Sequence, residues 1–313
     1  MGEVILRGAA QGFALGTLVT VSTLCTASHY KNNIALASTI SSSAAFLGAV
    51  VYTGIAYGFL PKSQPDMAYL ASFGITAGTL GISGWLIKQN RFYSRLRMSP
   101  QAQRQPTYGF KTTSSLLFPL GFCLTFSGIF IWPAYMILLI VSPPAQAPVS
   151  IAYQQALLMH AFGFLSAAFS CSPWLRSRLG PVNTFISASG IAGACYLTPG
   201  WMPWSIITLP LSLVYGACLG AILSLYIKVL YTAAWFGHPE PRTRGAPHLG
   251  VGIVLAVSGT LAACGVLGAA AMVDAGLGFR WGMSGSGGVV VLGAVVMGVG
   301  RVVGVGRGVI RVV

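Results

Sequence analysis

The sequence predicts an all-α polytopic membrane protein, a bundle of about nine transmembrane helices, and three observations carry that expectation. Of its 313 residues 55% are hydrophobic and only 7% charged, whereas a soluble globular domain carries roughly 25% charged residues. Long intervals contain no Lys, Arg, Asp or Glu at all: 8–30, 32–61, 67–87, 112–175, 179–227, 245–273 and 281–300. A helix crosses a bilayer with about 20 such residues, so the two longest intervals hold more than one span each. Those intervals are in turn broken by loop-forming sequences, "LPKSQPD" at 60–66, "SPPAQAP" at 142–148 and "TPGWMP" at 198–203.

Taken in order, the spans fall near 5–28, 35–60, 68–87, 113–142, 150–171, 182–198, 204–228, 248–273 and 281–301. The first runs from Arg7 to the polar "SHYKNN"; the second opens on small hydroxyl residues, Ser38, Thr39 and Ser41 to Ser43, that let a helix pack closely or face a solute path. The third lies between Asp66 and Lys88, the fourth between Lys111 and the "SPP" break, and the fifth ends at Ser172-Pro173. The sixth sits between Arg178 and "TPG", the seventh between Trp204 and Lys228, and the eighth between His248 and Asp274. The ninth, from Met283 onward, is almost wholly Gly and Val, and each Gly costs a helix about 1 kcal/mol relative to Ala. Propensity supports it least. Residues 1–87 thus hold three spans, 88–112 a basic linker, 113–303 six spans, and 304–313 a basic Gly/Val tail.

Charge gives the orientation. Alternating the connections puts Lys31, Lys88, Arg91, Arg95, Arg97, Arg104, Lys111, Arg176, Arg178, Lys228, Arg242, Arg244, Arg301, Arg307 and Arg311 on one side, and only Lys62, Arg280 and Arg7 on the other. The positive-inside rule makes the first side cytoplasmic, with the N-terminus outside and the C-terminus in the cytoplasm. The net charge of +14 therefore belongs to short loops between apolar helices. It marks topology and a membrane-lipid surface, not nucleic acid. Arg91, Arg95 and Arg97 interleaved with Phe92 and Tyr93 fit a surface helix on anionic lipid.

The chemistry of an enzyme has no material here. The only acids are Glu3, Asp66, Glu240 and Asp274, all outside the span interiors. No catalysis, cofactor or metal is expected, and the six cysteines lie in apolar segments without a C-x-x-C pair.

Several stretches resemble the monocarboxylate-porter family of the major facilitator superfamily, in its fungal form. "RGAAQGFALGTLVTVSTLCTASHYKNNIALASTISSSAAFLG" (7–48) is similar to that family's fourth span, the inner loop and the start of its fifth. "GFKTTSSLLFPLGFCLTFSGIFIWPAYM" (109–136) resembles the seventh, and "SPWLRSRLGPVNTFISASGIAGACYL" (172–197) the loop between the eighth and ninth. "LVYGACLGAILSL" (213–225) looks like the tenth and "GLGFRWGMSGSGGVVVLGAVV" (276–296) like the twelfth. The resemblance implies a major facilitator-type helical bundle, with an incomplete N-terminal bundle of three spans and a C-terminal bundle of six, lacking the first three spans of the fold. It also implies a secondary-active transporter in the plasma membrane that moves a small organic solute or metabolite by alternating access. The sequence departs from the family where Ala168 and Phe169 replace a Gly-Arg pair and Ser177 replaces the Asp of an Asp-Arg-x-Gly loop. With that Arg gone, efflux of a metabolite fits as well as uptake of a monocarboxylate. The alternative is a truncated or degenerate family member without transport activity, acting as a membrane interaction protein or left as a gene remnant.

Four residues are candidates for the solute path. Arg7 and Gln11 resemble a fourth-span signature whose Arg faces the cavity, although Arg7 also fits as a simple flank of the span. Gln155 and His160, in "QQALLMHAFGF", put polar groups inside an apolar run. The imidazole can relay a proton, which would allow proton coupling, or serve as a hydrogen-bonded packing residue. Gly216 and Gly220, and Gly250, Gly252, Gly259, Gly265 and Gly268, are expected to let helices approach closely.

Overall fold

A computed structural model describes residues 34–62, 64–86, 113–141, 146–170, 172–198, 204–233, 248–275 and 278–305, and every regular element among them is helical. The helices are α1 (Ile34–Phe59), α2 (Pro65–Leu86), α3 (Thr113–Ile129), α4 (Ile131–Val141), α5 (Val149–Ser170), α6 (Pro173–Arg178), α7 (Gly180–Leu197), α8 (Trp204–Ala233), α9 (His248–Asp274) and α10 (Gly278–Val305). Among the described residues five stretches are long and apolar enough to cross a membrane: Leu36–Lys62, Thr113–Val141, Ile207–Ala233, Gly250–Asp274 and Trp281–Gly304. The chain is a multi-pass membrane protein on that count. Helices α2, α5 and α7 form where spans are expected, with more Gly, Ser and polar residues diluting their hydropathy. The span expected near 5–28 and the linker 88–112 lie outside the described residues.

Local chemistry explains several boundaries. Ser172 caps α6, its hydroxyl accepting the Leu175 N–H at 3.3 Å, and Pro173 follows at the position where a missing N–H costs nothing. Gly180, with φ of 72°, turns the chain from α6 into α7, a conformation an L side chain resists. The span expected at 113–142 is broken at Phe130, because Pro133 has no N–H to offer the carbonyl four residues back.

Contacts fix the relative directions. Gly121 meets Gly293 and Met297 while Gly128 meets Ser286 and Val290, so α3 and α10 are antiparallel. Gly216 meets Met159 and Gly220 meets Gly163, so α5 and α8 are parallel. Ser127 meets Gly265 and Cys123 lies 3.3 Å from Ser258, so α9 runs with α3. Tyr57 pairs with Tyr153 and Phe46 with Gly163, so α1 opposes α5.

The six-helix part consists of two three-helix units that pair reciprocally. In the first unit (α3/α4, α5, α7) the leading helix packs on α9 and α10; in the second (α8, α9, α10) the leading helix packs on α5 and α7. The two third helices, α7 and α10, also meet. Between them lies the core, with Phe118, Phe122, Trp132, Phe185, Tyr196, Tyr215 and Ile222 fully buried.

Helix α1 docks on α5 and α8, whereas α2 touches little besides α1. Ala68 is the one buried residue described on α2; Trp85 is 82% exposed and Tyr69 75%.

Glycine decides how near the helices come. A Cβ on Gly216 or Gly220 would strike the backbone carbonyls of Met159 and Gly163, so that pair packs backbone to backbone. Along α10, Gly287 meets α7 and Gly293 and Gly300 meet α3. The Gly-rich segment that propensity supports least is therefore a helix of 28 residues held by close packing on two neighbours. In α9 the expectation holds for Gly265 alone among Gly252, Gly259, Gly265 and Gly268; the other three face open space.

Candidate functional site

Among the described residues, two groups of polar side chains inside the bundle join several helices around unsatisfied atoms. The first surrounds the seam of α1, α5 and α8. Ser38 and Ser42 stand one turn apart on the buried face of α1, and the Ser42 hydroxyl donates to the carbonyls of Ser38 (2.9 Å) and Leu223. A turn further, Phe46 fills the space left by Gly163 and lies 6.4 Å from the His160 ring. Ser41, on the opposite face, is exposed, so the hydroxyl residues of α1 divide between the seam and the outside.

The structure places Gln155 and His160 on different faces of α5. Five residues along an α-helix rotate the chain by about 140°. His160, in line with Tyr153, looks toward α1, while Gln155, 7% exposed, shares the face of Ala152, Ala156 and Met159. Neither is satisfied: the Oε1 of Gln155 and the Nδ1 of His160 are buried without a hydrogen-bond partner. A buried polar atom without a partner costs about 1–3 kcal/mol. Both are groups that a bound solute or water can complete. Gln154 is exposed, and Arg7 and Gln11 lie outside the described residues.

The second group is built around the α3–α4 break, and nothing in the sequence reading pointed to it. Pro133 leaves the Ile129 carbonyl without its helical donor. The Tyr215 hydroxyl donates to that oxygen. The Tyr196 hydroxyl donates to the Gly128 carbonyl at 2.8 Å and accepts the Trp132 N–H at 2.9 Å. Two phenols from two other helices thus replace the missing turn of bonds. Trp132 is clamped between them, stacked on Tyr215 at 5.6 Å and edge-on to Tyr196 at 5.5 Å, and its own Nε1 is buried without a partner. The sequence signal was there: a Pro inside a span requires other groups to take over the freed backbone atoms.

The ends of the bundle differ in charge. The helix directions bring Arg178, Lys228 and Arg301 to one end, and Lys62, Asp66 and Asp274 to the other. Among the described residues the acids lie at the second end alone.

Comparison with protein-family models, with curated proteins and with solved structures finds no match for this chain.

Proposed function

We propose that this chain is a secondary-active transporter of major facilitator type, similar to the monocarboxylate porters, that moves a small organic solute by alternating access. One observation carries the reading: the six helices from α3 to α10, α3/α4 counted as one and α6 left aside, form two units of three whose leading helices pack reciprocally on the other unit. Transporters of this type are built from such internal repeats, with solute sites near the membrane midplane and irregular backbone where a site is lined. The α3–α4 break, and the unsatisfied Gln155 and His160 on two different faces of α5, support separate polar contacts for a solute within the bundle, with Arg7 and Gln11 contributing from the first expected span. A C-terminal bundle of six spans, a partial N-terminal bundle, a cytoplasmic C-terminus, residence in the plasma membrane and proton coupling through His160 belong to the same proposal.

The exposed faces of α2 favour a second reading, a membrane interaction protein without transport, because Tyr69, Phe73 and Trp85 are each more than 70% exposed on it. Flux into proteoliposomes carrying the full chain, over a panel of small monocarboxylates and related metabolites and with and without an imposed pH gradient, separates the two. Saturable uptake of one class supports transport. Flux equal to protein-free vesicles for the whole panel would leave the second reading.

A further inference from the structure

Helix α1 is fastened to the rest of the bundle mainly at one end. Its described buried residues, Ala37, Ser38, Thr39, Ser42 and Phe46, all fall within its first half, and every residue of α1 after Phe46 is at least partly exposed. That end is the cation-bearing one, because α1 opposes α5 and begins beside the end of it. Two contacts hold it there. Phe46 fills the notch that Gly163 leaves on α5, and one turn nearer the end the Ser42 hydroxyl donates to the Leu223 carbonyl of α8. Gly163 also sets its own carbonyl against Gly220 of α8, so three helices meet at this level.

Both contacts can be undone without leaving a polar group unpaired. Ser42 has a second acceptor in its own helix, the Ser38 carbonyl at 2.9 Å. The Leu223 oxygen lies inside α8 and keeps the backbone donor four residues on. Phe46 is apolar and loses only packing. The closed seam, by contrast, leaves two polar atoms without partners: the Ser38 hydroxyl, a turn to one side of Ser42, and the Nδ1 of His160, beside Phe46 on the other. Both are shut off from solvent. Water reaches them only if the seam parts, which relieves the cost of burying them unpaired. Helix α2 does little to keep α1 in place, since it touches little else.

We propose that Ser42 and Phe46 form a latch, and that the chain also adopts a state in which it is undone. In that state α1 stands away from α5 and α8 at the cation-bearing end, with water at Ser38 and His160. Ring packing and a bond between helices favour the closed state; hydration of two polar groups favours the other. The latch works whether or not a solute crosses the membrane, and it is measured without one.

In the full chain freed of its native cysteines, Ser38→Cys reports the parted state through its rate of reaction with an impermeant maleimide. The reagent is applied to the membrane face from which Arg178→Cys is labelled. Reaction should be slow with the latch intact. Phe46→Ala should speed it at least about tenfold, and Ser42→Ala about threefold, the worth of one hydrogen bond between membrane helices. Gly163→Ala should act like Phe46→Ala, because the added methyl group takes the space of the ring. Ser189→Cys, fully buried on α7, should stay unlabelled in every background. If Phe46→Ala loosens the whole chain, so that Ser189→Cys reacts too, Ser42→Ala carries the test, since it removes a single oxygen. An unchanged Ser38→Cys rate in the backgrounds that keep Ser189→Cys unlabelled overturns the proposal: fraying of the first turn of α1 would not answer to a change two turns away. Faster reaction from the opposite face of the membrane overturns it as well.

Discussion

Replacing Tyr196 with Phe removes one oxygen from the core and leaves the ring in place, edge-on to both Trp132 and Tyr215. That oxygen accepts the Trp132 N–H at 2.9 Å and donates to the Gly128 carbonyl at 2.8 Å. Both backbone groups sit where Pro133 has already broken the helical ladder. Each buried group left unpaired costs about 1–3 kcal/mol, while single side-chain bonds between membrane helices reach about 1.7 kcal/mol at most. Two lost bonds therefore give roughly 2–3 kcal/mol. Tyr215→Phe should cost less, about 1 kcal/mol, because it removes one bond rather than two, and the Ile129 carbonyl, 2.9 Å from the Tyr196 oxygen, can share the proton that Tyr196 gives to Gly128. The assay is reversible unfolding of the purified chain in mixed detergent micelles, followed by tryptophan fluorescence, with the double variant closing a mutant cycle. Adding Pro133→Ala to Tyr215→Phe should recover part of the loss, since the substituted alanine would supply the N–H that the Ile129 carbonyl lacks. If Tyr196→Phe is no more costly than Tyr215→Phe, the assignment of the two hydroxyls to these backbone groups is wrong.

Three further outcomes are expected. Gly216→Ala and Gly220→Ala should each destabilise the chain by about 2 kcal/mol or more through overpacking, whereas Gly259→Ala, which meets open space, should be neutral or stabilise by up to about 1 kcal/mol; the same unfolding assay compares them. Phe46→Ala should cost about 3 kcal/mol by emptying the space over Gly163, and cysteine crosslinking between α1 and α5 should fall with it. In a chain freed of its native cysteines, an impermeant maleimide applied outside cells should label Gln64→Cys and Asp274→Cys but not Arg178→Cys; labelling of Arg178→Cys alone would invert the topology.

Much of the architecture was legible because a bilayer constrains sequence so strongly. Charge-free runs bounded by Lys62 and Asp66, by Arg178, and by Asp274 marked where helices begin and end, and the helices form there. Of the cations expected on one side, Arg178, Lys228 and Arg301 are among the described residues and share one end, while most of the others lie outside them. What stayed hidden depended on which face of a helix meets which neighbour. Gly252, Gly259 and Gly268 read like Gly265 in the sequence, yet of the four only Gly265 has a helix against it. Gln155 and His160 looked like one polar path until a rotation of five residues separated them. Propensity misjudged α10, because a membrane already enforces the helix and the missing side chains return their loss as close approach. The Tyr196–Tyr215 pair was unreadable for a different reason: nothing local says that phenols on two later helices will reach the carbonyls freed by Pro133.

The seam of α10 has a consequence for how this chain tolerates change. On the sides turned to α7 and to α3, at Gly287, Gly293 and Gly300, a single added methyl group presses into a neighbour, while a few residues away Leu292, Val295 and Val299 are exposed on the bundle's outer surface and can be exchanged for any residue of like hydropathy. Mutations arriving at random would be removed on those sides of the helix and kept on the outer one. Over many generations the outward positions would drift freely and the glycines would stay, so that the most permanent part of the protein is the set of places where it has no side chain.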